Sequence, residues 1–272
     1  KDVWYTYPDG TDAVCGVDID IYKGEFIGII GKNGSGKTTL AKTFNGLYKP
    51  TSGKVLLSFD GNMYDSSEED VGFLSHYIGY CFQNPDDQIF LRKVSDEVGY
   101  GVKNMNLSQE EKEKRINDAM EVTELTPFAN RPPYSLSQGL RQRLAVASIL
   151  AMEPKVLIID EPTTGQDWIQ SKAMLDLAKK LNQRGETIIV ITHNMPLIAQ
   201  YANKLIVMLD GKLLVEGTPK EVFSQPELIE KASIKPPQVT RLGQALSERY
   251  NVPNDILNIE EFLNILELRG MD

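Results

Sequence analysis

Histidine and cysteine are scarce in this chain, with two of each in 272 residues. Cys15 and Cys81 lie far apart and have no metal-ligand spacing; two isolated cysteines fit a reducing compartment, where they are usually buried and inert. No apolar run approaches the roughly 20 residues needed to span a bilayer. No signal peptide, internal repeat or low-complexity tract is visible in the sequence given. Positive charge is also short: 29 Lys+Arg against 38 Asp+Glu leaves a net charge of −9, which argues against a general nucleic-acid binder. The opening Lys1-Asp2-Val3-Trp4-Tyr5 reads as the middle of a strand, so the chain is expected to begin inside a longer one. What is present is ordinary for a globular protein, 41% hydrophobic and 25% charged. The length suits one large domain with appendages or two small ones.

The organising stretch is Gly31-Lys32-Asn33-Gly34-Ser35-Gly36-Lys37-Thr38, which has the G-x-x-x-x-G-K-[ST] pattern. An apolar run, Glu25 to Ile30, precedes it and reads as a buried strand; Thr39 to Leu47 follows at helical spacing. Strand, glycine loop and helix are the order that phosphate binding needs. Glycines let successive backbone N–H groups turn toward phosphate oxygens, and the helix N-terminus adds partial positive charge. Lys37 would reach the β and γ phosphates of ATP, and the Thr38 hydroxyl would ligate Mg²⁺.

Along the chain, Val3–Tyr7 and Val14–Ile21 predict an antiparallel strand pair around the turn Pro8-Asp9-Gly10. Tyr7 is an aromatic placed either to stack on adenine or to pack on the sheet. Strands are expected at 54–59 and 77–82, with a short helix over 66–74 between them. Composition then turns helical, with Ser108 capping a helix over 109–125 and a second, amphipathic helix over 138–152. Apolar strands return at 156–159 and 187–192, separated by a helix over 170–184, and a last strand pair turns on Asp210-Gly211. The expected fold is therefore α/β: a P-loop NTPase core with a mainly parallel sheet, an antiparallel β subdomain, a helical subdomain inserted at about 86–152, and a proline-punctuated helical appendage over 218–272.

Chemistry-bearing residues fall at the strand ends. Asp160 would hold Mg²⁺, and Glu161 would polarise an attacking water. His193 ends the strand 187–192; a lone histidine is more often structural, yet this one faces the same crevice. Gln83, at the end of 77–82, could contact metal or water. Ser137 and Gly139 open a helix and form a second anion-binding N-terminus. One triphosphate has no use for two such sites in a single chain. Two protomers facing head-to-tail would use both.

With these motifs in order, the chain resembles an ATP-binding cassette (ABC) ATPase from about Val3 to Gly217. The resemblance implies that Tyr7 stacks on adenine and that Gly31 to Thr39 is the Walker A loop. It further implies Gln83 as the Q-loop glutamine, Ser137 and Gly139 as signature residues, Asp160 as the Walker B aspartate, Glu161 as catalytic base and His193 as switch histidine. Gln83-Asn84-Pro85-Asp86-Asp87-Gln88, with its second glutamine, resembles the Q-loop of energy-coupling factor (ECF) transporter ATPases. The opening Tyr7-Pro8-Asp9-Gly10-Thr11 and the tail 235–242 look like that group too. The resemblance implies uptake of a vitamin or transition-metal ion at the cytoplasmic face of the membrane. It also implies a second ABC ATPase subunit, a transmembrane coupling protein, a membrane substrate-binding protein, and a tail that helps hold the ATPase dimer. Two departures stand out: the usual L-S-G-G-Q is Leu136-Ser137-Gln138-Gly139-Leu140, and Gln166 and Trp168 replace the usual residues after Glu161. A conventional ABC importer ATPase and a catalytically weak regulatory subunit are the alternatives. A DNA-repair clamp would need a much longer coiled-coil insertion.

Overall fold

A computed structural model describes residues 1–250 and 252–268. The end of the expected appendage, residues 269–272, lies outside the described residues. Ten strands and eleven α-helices follow in chain order among them. β1 (Val3–Thr6) and β2 (Asp12–Val17) pair antiparallel, as do β4 (Leu56–Phe59) and β5 (Asn62–Asp65). The central sheet has six strands in the order β10, β9, β3, β8, β7, β6. Its members are β3 (Phe26–Gly31), β6 (Ile78–Cys81), β7 (Val156–Asp160), β8 (Thr187–Ile191), β9 (Lys204–Leu209) and β10 (Lys212–Gly217). All pairings are parallel except β9 with β10, a hairpin around Asp210-Gly211. The helix expected over 66–74 is confined to α2 (Val71–Ser75), capped by Asp70; residues 62–65 before it belong to β5.

Both faces of the central sheet are covered, which explains why its inner strands β3, β7 and β8 are apolar at nearly every position rather than at alternate ones. On one face, Ile27, Ile29, Ile158, Ile189, Ile206 and Met208 pack under α1 (Lys37–Phe44) and the antiparallel pairs. On the other, Phe26, Ile30, Leu157, Ile159, Val190 and Val207 meet α6 (Trp168–Gln183) and α7 (Met195–Tyr201). Period-two alternation thus survives, with each half of the pattern in a different core.

The inserted helices α3 (Val94–Lys103), α4 (Gln109–Val122) and α5 (Gln138–Leu150) enclose a third cluster of Val98, Val102, Leu125 and Leu144. α5 belongs to two clusters at once: Leu144 and Ala147 face the helical one, whereas Ala145 and Val146 join the sheet. After β10 come α8 (Pro219–Phe223) and α9 (Pro226–Lys231), then α10 (Gln238–Tyr250) and α11 (Ile259–Leu268). Val222, Phe223, Ile229 and Ala232 are buried within the main sheet cluster. No helix among the described residues is long and apolar enough to cross a membrane.

Candidate nucleotide site

Parallel strands end level, so residues just past them share one crevice. Gly31 closes β3 and Asp160 closes β7, in register with Ile191 of β8. Glu161 donates its backbone N–H to the Ile191 carbonyl at 2.8 Å, which holds it at the crevice. The register Cys81↔Ile159, carried two residues on, sets Gln83 level with Glu161.

The glycine loop is braced from below. At Gly36 the backbone has φ +95°, and an added Cβ would lie 2.2 Å from the Ala13 carbonyl oxygen of β2, so only glycine fits there. Lys32 pairs with Asp210 at 2.7 Å, and Gly211 donates to the Ser35 carbonyl at 3.2 Å. Gly34 and Asn33 are exposed at the loop's crown. α1 starts at this loop without a side-chain cap, leaving its first N–H groups open to an anion. Lys37 is buried and donates to the carbonyls of Gly31 at 2.9 Å and Lys32 at 3.0 Å. Burial holds its ammonium below the ordinary lysine range, against the opposing pull of Glu161 and Asp160. The Ser35 hydroxyl is buried with no partner among the described residues. A buried cation without a contacting carboxylate, an orphaned hydroxyl and an uncapped helix start are together what a phosphate group would satisfy.

Thr38 donates to both Asp160 carboxylate oxygens, at 3.2 and 3.0 Å. Tyr80 donates to the same carboxylate at 2.7 Å. Tyr80 pairs with Ile158, which puts its ring on the face that Asp160 shares two residues later. Burial pushes the Asp160 carboxyl above its ordinary range, although the Tyr80 and Thr38 hydrogen bonds, Lys42 and Lys37 pull the other way. A buried carboxylate beside a threonine hydroxyl is a hard-oxygen donor set, so the residues present fit a Mg²⁺ ion that keeps most of its waters. Gln83 is exposed and is not among the hydrogen-bond partners of Thr38 or Asp160 in the described residues.

Glu161 adopts φ +48°, the left-handed region rare for a residue with a side chain. Its Oε2 lies 2.7 Å from His193 Nδ1, and Thr164 Oγ1 donates to the same oxygen at 3.5 Å. Glu161 is nearly buried, whereas His193 is largely open to solvent. The pair therefore presents one hidden carboxylate and one exposed ring at the mouth of the crevice. Tyr7 is half-buried; its hydroxyl meets Thr39 Oγ1 at 2.8 Å and its ring stands edge-on to Tyr5 and Tyr48.

Ser137 caps α5 by accepting from the Leu140 N–H at 3.4 Å. Gly139 faces α6, where an added Cβ would sit 2.9 Å from Gln170 Oε1. Among the described residues no hydrogen bond or ion pair joins Ser137 or Gly139 to the glycine loop, so this end of α5 is not part of the chain's own phosphate cradle. Reasoning from sequence overlooked Tyr80. Its signal was a lone hydroxyl inside an apolar strand, which must find a buried partner. A cavity of about 860 Å³ opens at the opposite end of the sheet, beneath the β4–β5 hairpin, and none of the motif residues lines it.

Residues 14–164 match the ABC transporter family. The energy-coupling factor transporter ATP-binding protein EcfA of Methanocaldococcus jannaschii is 43% identical over 93% of this chain and 90% of that protein. CbiO1 of Clostridium perfringens, described as part of the ABC transporter complex CbiONQ, superposes with a TM-score of 0.76 at 37% identity, covering 91% of this chain and 97% of that one. A dimeric ATP-binding cassette bound to ADP and Pi in a post-hydrolysis state gives a TM-score of 0.70 at 31% identity, over 80% of this chain and 97% of its own. Against several longer curated relatives the chain spans under half the length, 45% of one from Caldanaerobacter subterraneus.

Proposed function

This chain belongs to the ABC transporter family, and we propose that it is the ATP-hydrolysing subunit of an ECF-type importer. The observation that carries the reading is the single crevice holding Lys37, the Thr38–Asp160 hydrogen bond and the Glu161–His193 pair. Lys37 leaves its two carbonyl partners for the β and γ phosphates of ATP, where the anion restores the charge that burial disfavours. Open N–H groups at the start of α1 bind the same phosphates. Thr38 and Asp160 would hold Mg²⁺, with Gln83 a candidate to join them; the ion supplies charge neutralisation on the phosphate oxygens. Glu161 accepts the proton of the attacking water, and His193 orients the carboxylate through Nδ1. Ser137 and Gly139 serve the ATP of a facing subunit, so two chains complete two sites.

The ECF assignment rests on the EcfA and CbiO1 likenesses together with Gln88 in the loop after Gln83. In that role the chain works at the cytoplasmic face of the membrane with a transmembrane coupling protein and a membrane substrate-binding protein. A vitamin or transition-metal ion is the cargo, selected by another polypeptide. A second reading, a weakly hydrolysing regulatory subunit, is favoured only by the unusual Gln138, Leu140, Gln166 and Trp168.

Steady-state hydrolysis by the purified chain and its Glu161→Gln variant, with dimer mass followed by light scattering, separates them. Loss of a general base lowers turnover about 10²–10⁴-fold, and the variant should accumulate as an ATP-bound dimer. Turnover that appears only with a second ATPase subunit would indicate a heterodimer. No turnover under either condition would overturn the hydrolytic reading in favour of the regulatory one.

A further inference from the structure

The turn after Gln83 is tied to α5 by polar contacts that no catalytic role explains. Pro85–Asp87 forms one turn of 3₁₀-helix capped by Asn84, and Gln88 follows it. The Gln88 side chain uses both of its ends. Its Oε1 accepts from the Phe82 backbone N–H at 3.2 Å, at the exit of β6. Its Nε2 donates to the Ala145 carbonyl at 2.7 Å and to Ser148 Oγ at 3.0 Å, both on α5. One turn earlier on the same helix face, the Arg141 guanidinium pairs with Asp86 at 2.8 Å and donates to the Leu136 carbonyl at 2.8 Å. Positions 141, 145 and 148 are spaced i, i+4, i+7 and so form one stripe. Leu136 immediately precedes Ser137, the cap of the helix end proposed to meet a second subunit's ATP.

These bonds differ in kind from the rest of the packing around α5. Its apolar side chains enter two hydrophobic clusters, and hydrophobic contact is non-directional, so it does not by itself align the polar groups of α5 with the turn after Gln83. Hydrogen bonds are directional and lose their worth within a few tenths of an ångström. The Asp86–Arg141 pair is partly exposed, 41% and 22%, and by itself holds little. Gln88, half-buried and bonded at three points, fixes the geometry.

We infer that Gln88 is a positioning residue: it clamps the turn after Gln83 to one stripe of α5, so that Gln83 and the Ser137 end of that helix move as one unit. This rests on the ATPase reading for its consequence in turnover, but the clamp itself exists without nucleotide. A displaced loop would then carry the Ser137 end with it, toward or away from the facing site.

The test uses the full chain with Gln88→Met, which keeps length and volume, and Gln88→Glu, which keeps the acceptor for Phe82 but loses both donors. Ser148→Ala removes one of the three Gln88 bonds, together with Ser148's own bond to the Ala145 carbonyl, and serves as the mild variant. Hydrogen exchange without nucleotide should show the amides at 138–142 exchanging at least about tenfold faster in the two Gln88 variants, with α6 unchanged. Binding of a fluorescent ATP analogue by the monomer should stay within about twofold, since the glycine loop is untouched. Turnover should fall by about tenfold or more, at constant KM, because small misplacements of a positioning group cost up to about 10²-fold. Ser148→Ala should move exchange and turnover in the same direction by a smaller factor. Wild-type exchange or wild-type turnover in Gln88→Met would overturn the clamp. So would acceleration of exchange across the whole chain with a lowered melting temperature, which marks a general packing role. If the unmodified chain hydrolyses no ATP, the ATPase reading fails and the exchange arm alone decides the clamp.

Discussion

Asp160 concentrates the conflict between stability and chemistry in a single side chain. Its carboxylate is 3% exposed, and burial raises its pKa even though Tyr80 and Thr38 donate to it. A carboxyl whose folded pKa is raised binds its proton more tightly in the folded state. Stability therefore falls as pH rises from the ordinary aspartate range through the raised value, and the penalty is complete above it. Asp160→Asn should stabilise the nucleotide-free chain at neutral pH by about 1 kcal/mol, or roughly 2–4 °C in melting temperature. That gain should vanish in acid, where both side chains are neutral, and scanning calorimetry at several pH values checks it. The same variant should lose the added stability that Mg²⁺-ATP gives the wild type. At Gly36 the constraint is steric: Gly36→Ala meets the Ala13 carbonyl at a positive φ. It should abolish nucleotide binding in a fluorescence titration and destabilise the fold by more than about 1 kcal/mol.

At the scale of elements, α5 is both a structural seam and a presenting surface. Its cap, Ser137, satisfies an N–H that would otherwise be orphaned. Ser137→Ala should lower stability by about 1 kcal/mol, measured by urea unfolding. Nucleotide binding by the monomer should be unaffected, whereas ATP-driven dimer formation should weaken, because, in the proposed function, that hydroxyl serves the facing subunit's ATP. The turn from β7 into α6 has a related exposure. Asp167 caps α6 by accepting from Gln170 at 2.8 Å, while Trp168 and Ile169 stand 53% and 77% exposed.

Considering the whole molecule, the C-terminal region divides into two parts. α8 and α9 place Val222, Phe223, Ile229 and Ala232 in the main core, beside Phe26 and Leu205. α10 and α11 are tied on through Gln244 to the Phe223 carbonyl and through Lys220 to Glu261. A chain ending at Gly217 would lose those buried side chains, of which Val222, Phe223 and Ile229 each contribute about 1.5–3 kcal/mol, and should fail to fold. A chain ending at Lys235 keeps them and should fold with nucleotide binding intact. If the last two helices hold the dimer, as proposed for the appendage, this shorter chain should form ATP-driven dimers more weakly. Circular dichroism and light scattering on the two truncations decide both points.

The local motif was legible in the sequence because its chemistry is local: a glycine loop between an apolar strand and a helix is one contiguous device. Apolar runs bounded by turn residues likewise read out the strands of the parallel core. The short helix over 66–74 was read too long because residues 66–69 form a turn folded onto Asp65, whose carboxylate accepts from Ser67 and whose carbonyl accepts from the Glu68 and Glu69 N–H groups, so the helix starts only after the Asp70 cap. Tertiary structure alone brought Asp160 to Thr38 across 122 positions and set Tyr80 behind it. It also separated Ser137 from the glycine loop and joined Gln88 to Ala145. These meetings depend on strand order and register, which arise from burying two faces of one sheet at once. That is a property of the assembled chain, and no single stretch of sequence encodes it.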